Sequence, residues 1–452
     1  MKIVIAGAGG VGTHLAKMLS HEKHHIVLID QNEDHLKEVS ANLDMITLHG
    51  SATSIAILTN ANVAKTDLFV SVTNSEETNI TATILAKKLG ARKCIARINT
   101  GEYLEEDNTE FFSQLGIDYM FCPEQLAAGE ISSLISQSGT TDILNFAGGR
   151  LFLYVMRMDE DAPALNQSLD EFHNLSKDPE YKVVAIGRND NTIIPEGNEK
   201  LINKDLAFIV TTQKGINLLM KYFGKKSLDI RNVMILGGSR VGINTAKQLT
   251  HNHVVKLVER DRSKSYLLSN ELQGTLVING DGRNIDLMNQ EGLPNMDAFI
   301  AVTGNSETNM LSCLLAKRLG VKKTIAEVEN TEYIRLAENM GIDAIINKKL
   351  ITASKIFGFT NSDEVSSVKC LTFTDAEVME YVAKPESKIT KDVIKDVCFP
   401  ADAVIGGLVR GKDPIIVDEN TLIKPFDKVV VFALPSAKGK IGKFFNSSER
   451  FF

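Results

Sequence analysis

Residues 3–12 read "IVIAGAGGVG", and this stretch decides what the chain builds first. Ile3, Val4, Ile5 and Ala6 form a short apolar run, the pattern of a strand buried on both faces of a parallel sheet. Gly7, Gly9 and Gly12 follow as G-x-G-x-x-G, with Gly10 and Val11 between the last two. Gly7 permits the tight strand-to-helix turn, Gly9 puts no Cβ between the backbone and a pyrophosphate, and Gly12 lets the helix pack close to the strand. The helix opening here offers free N–H groups and a positive dipole end to an anion. A second apolar run, Ile26–Ile29, ends at Asp30, 23 residues after Gly7. There an acid can accept hydrogen bonds from a ribose diol. Strand, glycines, helix, strand and acid in that order point to a nucleotide site.

The same order returns later in the chain. Residues 233–242 read "VMILGGSRVG", 230 positions after the first run, and Glu259 stands where Asp30 stands. Gly237 and Gly242 keep the outer glycines, with Gly238, Arg240 and Val241 beside them, but Ser239 replaces the middle one. A seryl Cβ can crowd a pyrophosphate, while its hydroxyl can also donate to one. The second copy is therefore open to three readings: the same site, a site for a different ligand, or a structural copy. The repeat extends further, since "DLFVSVTNSEETNITATILAKKLGARKCIARINTGEY" at 67–103 recurs as "DAFIAVTGNSETNMLSCLLAKRLGVKKTIAEVENTEY" at 297–333. A period that long exceeds the ~20–50 residues of a solenoid unit, so a whole module is used twice.

Composition bounds the rest. At 452 residues the chain is too long for one core, because single domains usually stop near ~250–300 residues. The fractions of 24% charged and 43% hydrophobic residues are those of a globular protein, and no apolar run reaches membrane-span length. Met1-Lys2-Ile3-Val4 runs straight into a strand, so no signal peptide is expected. A net charge of −7 argues against nucleic acid as the main partner. The five cysteines are scattered with no C-x-x-C, as expected of a reducing compartment and no zinc site. Six of the nine histidines lie in the first 49 residues, and the cluster His21, His24 and His25 reads as a polar helix end rather than a metal site.

Strands alternating with helical patterns predict a parallel sheet wrapped by helices in each large module. Met45–Leu48, Leu68–Val72, Cys94–Ile98 and Tyr119–Cys122 are the expected third to sixth strands. Thr78–Leu89 is the expected helix closed by Gly90, its twin runs from Thr308 to Leu319 and closes at Gly320, and Glu124–Ser136 reads as a connecting helix. Between the large modules the chain becomes strand-rich. The stretch 183–210 has a counterpart at 404–432, with Asp205 and Asp427 in matching places. The fold class expected is thus α/β: two Rossmann-like doubly wound domains, at 1–140 and 226–362, each followed by a small α+β domain, at 141–225 and 363–452. Residues 220–230 read as the central linker and Lys438–Lys443 as a short basic, solvated stretch. The end, "KIGKFFNSSERFF", reads either as a segment that docks on a neighbouring subunit or as a frayed terminus.

These residues resemble the TrkA family, the cytoplasmic regulatory subunits of bacterial Trk potassium uptake systems. The domain order, the paired "VTNSEETN" and "VTGNSETN" loops and the small β modules carry the resemblance across nearly the whole chain. It implies large modules of the RCK-N (KTN) type and small ones of the RCK-C type. It also implies a ligand-gated regulator, peripheral to the membrane, that binds NAD(H) and ATP or ADP and assembles as a tetrameric ring beneath a potassium-translocating membrane subunit. Carried over position by position, Gly7, Gly9 and Gly12 would face the phosphates, Asp30 the ribose, and Thr73 and Asn74 the ribose side of the cleft. Gly50-Ser51 stands where the family usually has Gly-Asp beside the adenine, and Ser51 departs from that pattern. Gly280 and Asp281 keep the pair in the second module, where Thr303 and Gly304 form the loop.

Arg97 would reach a phosphate, and its counterpart 230 positions on is Glu327. A carboxylate near a polyphosphate is repulsive by roughly ~1–4 kcal/mol. If both groups point into their clefts, the first site favours triphosphates more than the second, with Arg240 partly compensating. A surface ion pair for Arg97 and a solvated charge for Glu327 are the bland alternatives.

The competing class is an NAD-dependent oxidoreductase, which needs an acid/base group brought to the nicotinamide. The first small module holds one histidine, His173, and the second holds none. Duplication of the binding module without such a constellation favours switching over turnover. The intact first fingerprint disfavours a purely structural scaffold.

Overall fold

The computed structural model describes residues 1–20, 24–43, 45–136, 142–173, 180–189, 191–225, 228–359, 365–370 and 376–446. The first large module runs β1 (Lys2–Ala6), α1 (Gly10–Ser20), β2 (His25–Asp30), α2 (Glu33–Asn42), β3 (Ile46–His49), α3 (Ile55–Asn60), β4 (Leu68–Ser71), α4 (Glu76–Leu89), β5 (Lys93–Arg97), α5 (Glu106–Gln114), β6 (Tyr119–Phe121) and α6 (Pro123–Ser136). Its six strands are parallel in the order β3-β2-β1-β4-β5-β6. Ile3, Val4, Ile5 and Ala6 are all fully buried, which explains why the opening run is continuously apolar rather than alternating. The strand order reverses between β1 and β4, so the loops leaving their carboxyl ends diverge and open a crevice there.

The first small module comprises β7 (Asp142–Phe146), β8 (Leu151–Arg157), α7 (Leu169–His173), β9 (Tyr181–Arg188), β10 (Asn191–Ile193), β11 (Leu206–Thr212) and α8 (Ile216–Tyr222). Part of the expected linker is thus helix α8, whose Leu219 and the following Phe223 are buried in the module's core. The sequence pattern marked this segment by Gly224 and its lysines and missed its apolar side.

The second large module repeats the first: β12 (Asn232–Leu236), α9 (Arg240–Leu249), β13 (Val254–Glu259), α10 (Arg262–Glu271), β14 (Thr275–Asn279), α11 (Ile285–Gln290), β15 (Ala298–Ala301), α12 (Ser306–Arg318), β16 (Lys323–Glu327), α13 (Glu332–Asn339), β17 (Ala344–Ile346) and α14 (Lys348–Phe357). Its sheet has the same order and is likewise parallel. The last module holds β18 (Val365–Cys370), β19 (Glu377–Val382), β20 (Ala403–Arg410), β21 (Asp413–Ile416), β22 (Lys428–Ala433) and α15 (Lys438–Phe445).

The two small sheets share one antiparallel topology, β10-β9-β11-β8-β7 and β21-β20-β22-β19-β18. They pack on each other through a common apolar cluster in which Phe208 and Phe432 lie 5.7 Å apart. Each also holds the same buried ion pair. Arg188 Nε and Nη2 donate to Asp205 at 2.9 and 2.8 Å, and Arg410 Nε and Nη2 donate to Asp427 at 3.0 and 2.7 Å.

The basic stretch Lys438–Lys443 is not a loose tail, since it lies in α15 with Ile441 buried. Phe445 stacks on Tyr381 at 4.5 Å and Phe444 meets Phe399 at 5.2 Å, so these two phenylalanines pack on their own module rather than on a neighbour. The final residues, 447–452, and His21 lie outside the described residues, as do the expected boundaries near 140 and 362.

By packing, the chain divides into two compact units, Met1–Ala128 with Asn347–Thr360, and Gly129–Ile346 with Asn361–Phe452. Helix α14 follows the last strand of the second large module but belongs to the first unit, where it packs along α1. The end of α6 belongs to the second unit, where Ser132 Oγ donates to Gln248 Oε1 of α9 at 2.8 Å. The second copy thus gives α14 to the first unit, while α6 begins in the first unit and ends in the second.

Candidate functional site

The glycine turn after β1 is shaped by two glycines and left open by a third. Gly7 has φ +110°, and a Cβ there would stand 2.9 Å from Thr73 N. A Cβ on Gly12 would stand 1.8 Å from Gly7 O, so the helix can approach the turn only without one. Gly9 is different, because a Cβ there would meet nothing within 4 Å. Its bareness serves no contact inside the protein and leaves room beside the first turn of α1, where N–H groups await an acceptor. Thr13 N donates to Gly9 O at 2.9 Å, which starts the helical ladder there. Gly10 faces the stem of Lys349 from α14. Val11 is buried beneath the turn.

Asp30 ends β2 beside the glycine turn. Its Oδ2 accepts from Ala8 N at 2.5 Å and its Oδ1 from Asn32 N at 2.7 Å. The carboxylate thus braces the glycine turn while standing at the end of β2. Gly50 N donates to Asp30 O at 2.9 Å, and Gly50 takes φ +153° with Ile57 against it. Ser51 Oγ accepts from Thr53 N at 3.2 Å and shares a hydrogen bond with Thr53 Oγ1 at 2.9 Å, so it shapes the turn into α3.

On the far side of the crevice, Asn79 rivets the loop after β4. Its Oδ1 accepts from Thr73 N at 2.8 Å, Thr73 Oγ1 at 2.7 Å and Ser71 Oγ at 3.0 Å. Its Nδ2 donates to Thr73 O at 3.0 Å and Arg97 O at 2.9 Å. Asn74 is exposed at the rim. Sequence reading named Thr73 and missed Asn79, although its twin Asn309 lies in the quoted repeat. Asn309 bonds Thr303 N at 2.9 Å, Thr303 Oγ1 at 2.6 Å and Glu327 O at 2.8 Å.

Arg97 makes an ion pair, the bland alternative of its sequence reading, though a largely buried one, and Glu327 departs from its own bland alternative. Arg97 is drawn to Glu124 of α6, 3.7 Å away, while its buried Nε has no hydrogen-bond partner. Glu327 is not a solvated charge: it is 3% exposed.

The second module copies the scaffold and changes the cradle. Gly237 has φ +107°, and a Cβ on Gly242 would lie 2.1 Å from Gly237 O, as in the first copy. Glu259 repeats the brace, with Oε2 accepting from Gly238 N and Oε1 from Asp261 N, both at 2.9 Å. Ser239, however, caps α9, its Oγ accepting from Gly242 N at 3.2 Å. An N–H that a phosphate would use is already satisfied there. Arg240 opens α9, and Val241 is buried under it. Gly280 N donates to Glu259 O at 2.9 Å. Asp281 is engaged by Arg283 Nη2 at 2.6 Å, and that hydrogen bond holds its carboxyl down at about 2. Gly304 is exposed, with nothing near the place of a Cβ.

The residues of the first copy fit a pyrophosphate and ribose: an open Gly9, an uncapped helix start and an acid at the neighbouring strand end. Among the described residues no helix is long and apolar enough to cross a membrane, and no group of three or more acidic, histidine or cysteine side chains is placed to hold a metal.

Similarity agrees with the geometry. The TrkA-N domain family matches residues 3–123 and 233–348, and the TrkA-C domain family matches residues 153–224. The Trk system potassium uptake protein TrkA of Vibrio alginolyticus is 32% identical over 437 residues, 96% of this chain and 95% of that protein. The protein of the same name from Haemophilus influenzae is also 32% identical, over 96% of this chain and 95% of its own length. Among solved structures, the GsuK channel bound to NAD superposes on 98% of this chain and 78% of its own with TM-score 0.62 at 15% identity, a likeness of fold. With both glycine turns, the first small module and nearly the full length matched, the chain belongs to the TrkA family of Trk-system potassium uptake proteins.

Proposed function

We propose that this chain is the nucleotide-responsive regulatory subunit of a potassium uptake system. It binds NAD(H) and ATP or ADP at the glycine turns and biases potassium flux through a separate membrane subunit, to which it docks from the cytoplasm as a symmetric homo-oligomer, a tetramer. The observation that carries the reading is the first turn, where Gly9 leaves open space at an uncapped helix start and Asp30 stands beside it. The names of the relatives supply the potassium context, and the NAD-bound neighbour of like fold supplies a ligand class. A ligand moves such a regulator only by its differential affinity for two conformations, so ligands with unlike phosphate ends can bias unlike states.

The test is calorimetry of the full chain with NAD+, NADH, ATP and ADP, followed by potassium flux into vesicles holding the membrane subunit with and without this chain. Saturable binding that is weakened by Asp30→Ala, together with nucleotide-dependent flux, is expected. No binding of any of the four nucleotides, or flux indifferent to this chain, overturns the proposal. NADH oxidation with a panel of oxo acids would instead select an oxidoreductase. Light scattering that shows a monomer at micromolar concentration would remove the oligomer.

A further inference from the structure

The first glycine turn receives a side chain from outside its own repeat. Lys349 is the second residue of α14, the helix that follows the second module's last strand yet packs in the first unit. A Cβ on Gly10 would stand 2.5 Å from Lys349 Cε and 3.2 Å from Lys349 Nζ. By standard backbone dimensions the ammonium is then within about 6 Å of the Gly10 nitrogen, part of the same uncapped helix start. Among the described residues the Lys349 side chain has neither a hydrogen bond nor an ion pair.

The charged groups around this point are of both signs. His14 lies one turn along α1 and senses both Lys17 and Lys349. Asp30 is the nearby acid, and both its oxygens already accept backbone N–H groups of Ala8 and Asn32. The Lys349 ammonium thus stands at the positive end of α1, one residue from the space that Gly9 keeps open.

Comparison of the two copies supports a role in charge recognition. The second module carries its own cation, Arg240, at the position equivalent to Gly10. The first copy has no side chain there, and Lys349 enters the vacated volume. At the start of the corresponding helices the charge is reversed: the second residue of α6 is Glu124, which faces Arg97, whereas the second residue of α14 is Lys349.

Resting on the nucleotide site proposed above, we infer that Lys349 is a specificity-determining residue of the first copy, selecting adenine nucleotides by the charge of their phosphate end. A ligand in the first module is thereby touched by a segment of the second.

The test is calorimetry of the full chain with adenosine, AMP, ADP and ATP at two salt concentrations. Lys349→Gln removes the charge, Lys349→Met also keeps the apolar stem over Gly10, and Lys349→Arg restores a cation. Both neutral variants should weaken ATP and ADP binding roughly five- to thirtyfold at low salt, leave adenosine unchanged and flatten the salt dependence. Lys349→Arg should recover most of the loss. An unchanged ATP-to-adenosine ratio in both neutral variants, or equal weakening of all four ligands, overturns the inference and makes Lys349 a packing residue. Gly9→Ala is the parallel control. If it too leaves every affinity unchanged, the site itself falls; if it weakens the phosphorylated ligands while Lys349 does not matter, only the inference falls.

Discussion

The guanidinium of Arg97 stands 3.7 Å from the carboxylate of Glu124, and their side chains keep only 17% and 10% of their surface. The cation at the end of β5 is therefore partly neutralised before any phosphate arrives. In the proposed site its attraction for added phosphate charge would be set by the pair and not by Arg97 alone. Arg97→Glu would place two carboxylates together and so report on folding more than on ligand choice.

Glu124→Gln is the informative change. It should raise affinity for ATP several-fold by releasing Arg97, and it should cost about 1–3 kcal/mol of stability, because the geometry is looser than that of a well-formed buried pair. Urea unfolding and calorimetry on the same variant measure both effects. Unaltered ATP affinity would mean that the guanidinium does not face the crevice.

The three glycines of the first turn should separate binding from folding. Gly12→Ala drives a Cβ to 1.8 Å from Gly7 O and should destabilise the first unit by more than about 3 kcal/mol. Gly9→Ala meets nothing within 4 Å and should change stability by less than about 1 kcal/mol. It should nevertheless weaken nucleotide binding at least tenfold, because the new methyl group occupies the approach to the helix start. Thermal melts with and without ligand distinguish the two. A Gly9→Ala protein that binds normally would remove the phosphate from this turn.

Ser239 should work in the opposite sense. Its hydroxyl satisfies Gly242 N, so Ser239→Ala should cost about 1 kcal/mol of stability by removing the cap. Ser239→Gly loses the same cap but clears the Cβ, and should raise nucleotide affinity at the second turn. A two-site isotherm that becomes more nearly symmetric in Ser239→Gly is the expected result. A second site weakened by that change would show that the hydroxyl serves the ligand.

His14 gives the first unit an acid-sensitive slope. Burial, then Lys17 and Lys349, push its imidazole below the ordinary value of 6.5. Below that pH the unfolded chain takes up a proton that the fold resists. Stability should therefore fall as pH drops from 6.5 toward the folded value and be indifferent to this group above 6.5. His14→Gln should flatten that limb in urea midpoints measured across the range. A bound polyphosphate would offset the two lysines, so nucleotide should protect wild type more at low pH than it protects His14→Gln.

Much of the architecture was legible in the amino-acid order. Parallel strands buried on both faces must be continuously apolar, so Ile3–Ala6 and Ile26–Ile29 announce themselves. Positions that need a positive φ or a close approach must be glycine, so Gly7, Gly12, Gly237 and Gly242 carry the turn in their spacing. The acids at 30 and 259 follow because each strand end must face the turn beside it. Asn79 was hidden in plain view, since a buried amide that makes five hydrogen bonds to backbone and hydroxyl groups leaves no periodic trace beyond its recurrence at Asn309.

The tertiary structure alone decided what stands around those turns. Periodicity reports that a helix has an apolar face, not whose surface will cover it, so nothing in the order of residues shows that α14 packs in the first unit or that the end of α6 packs in the second. The placement of α14 brings Lys349 to Gly10, while packing at the start of α6 brings Glu124 to Arg97. Burial of Glu327, capping of α9 by Ser239, and docking of Phe444 and Phe445 on their own module depend likewise on neighbours far apart in sequence. The chain's local chemistry specifies each turn, but the electrostatics of each site is set by segments that only folding brings to it.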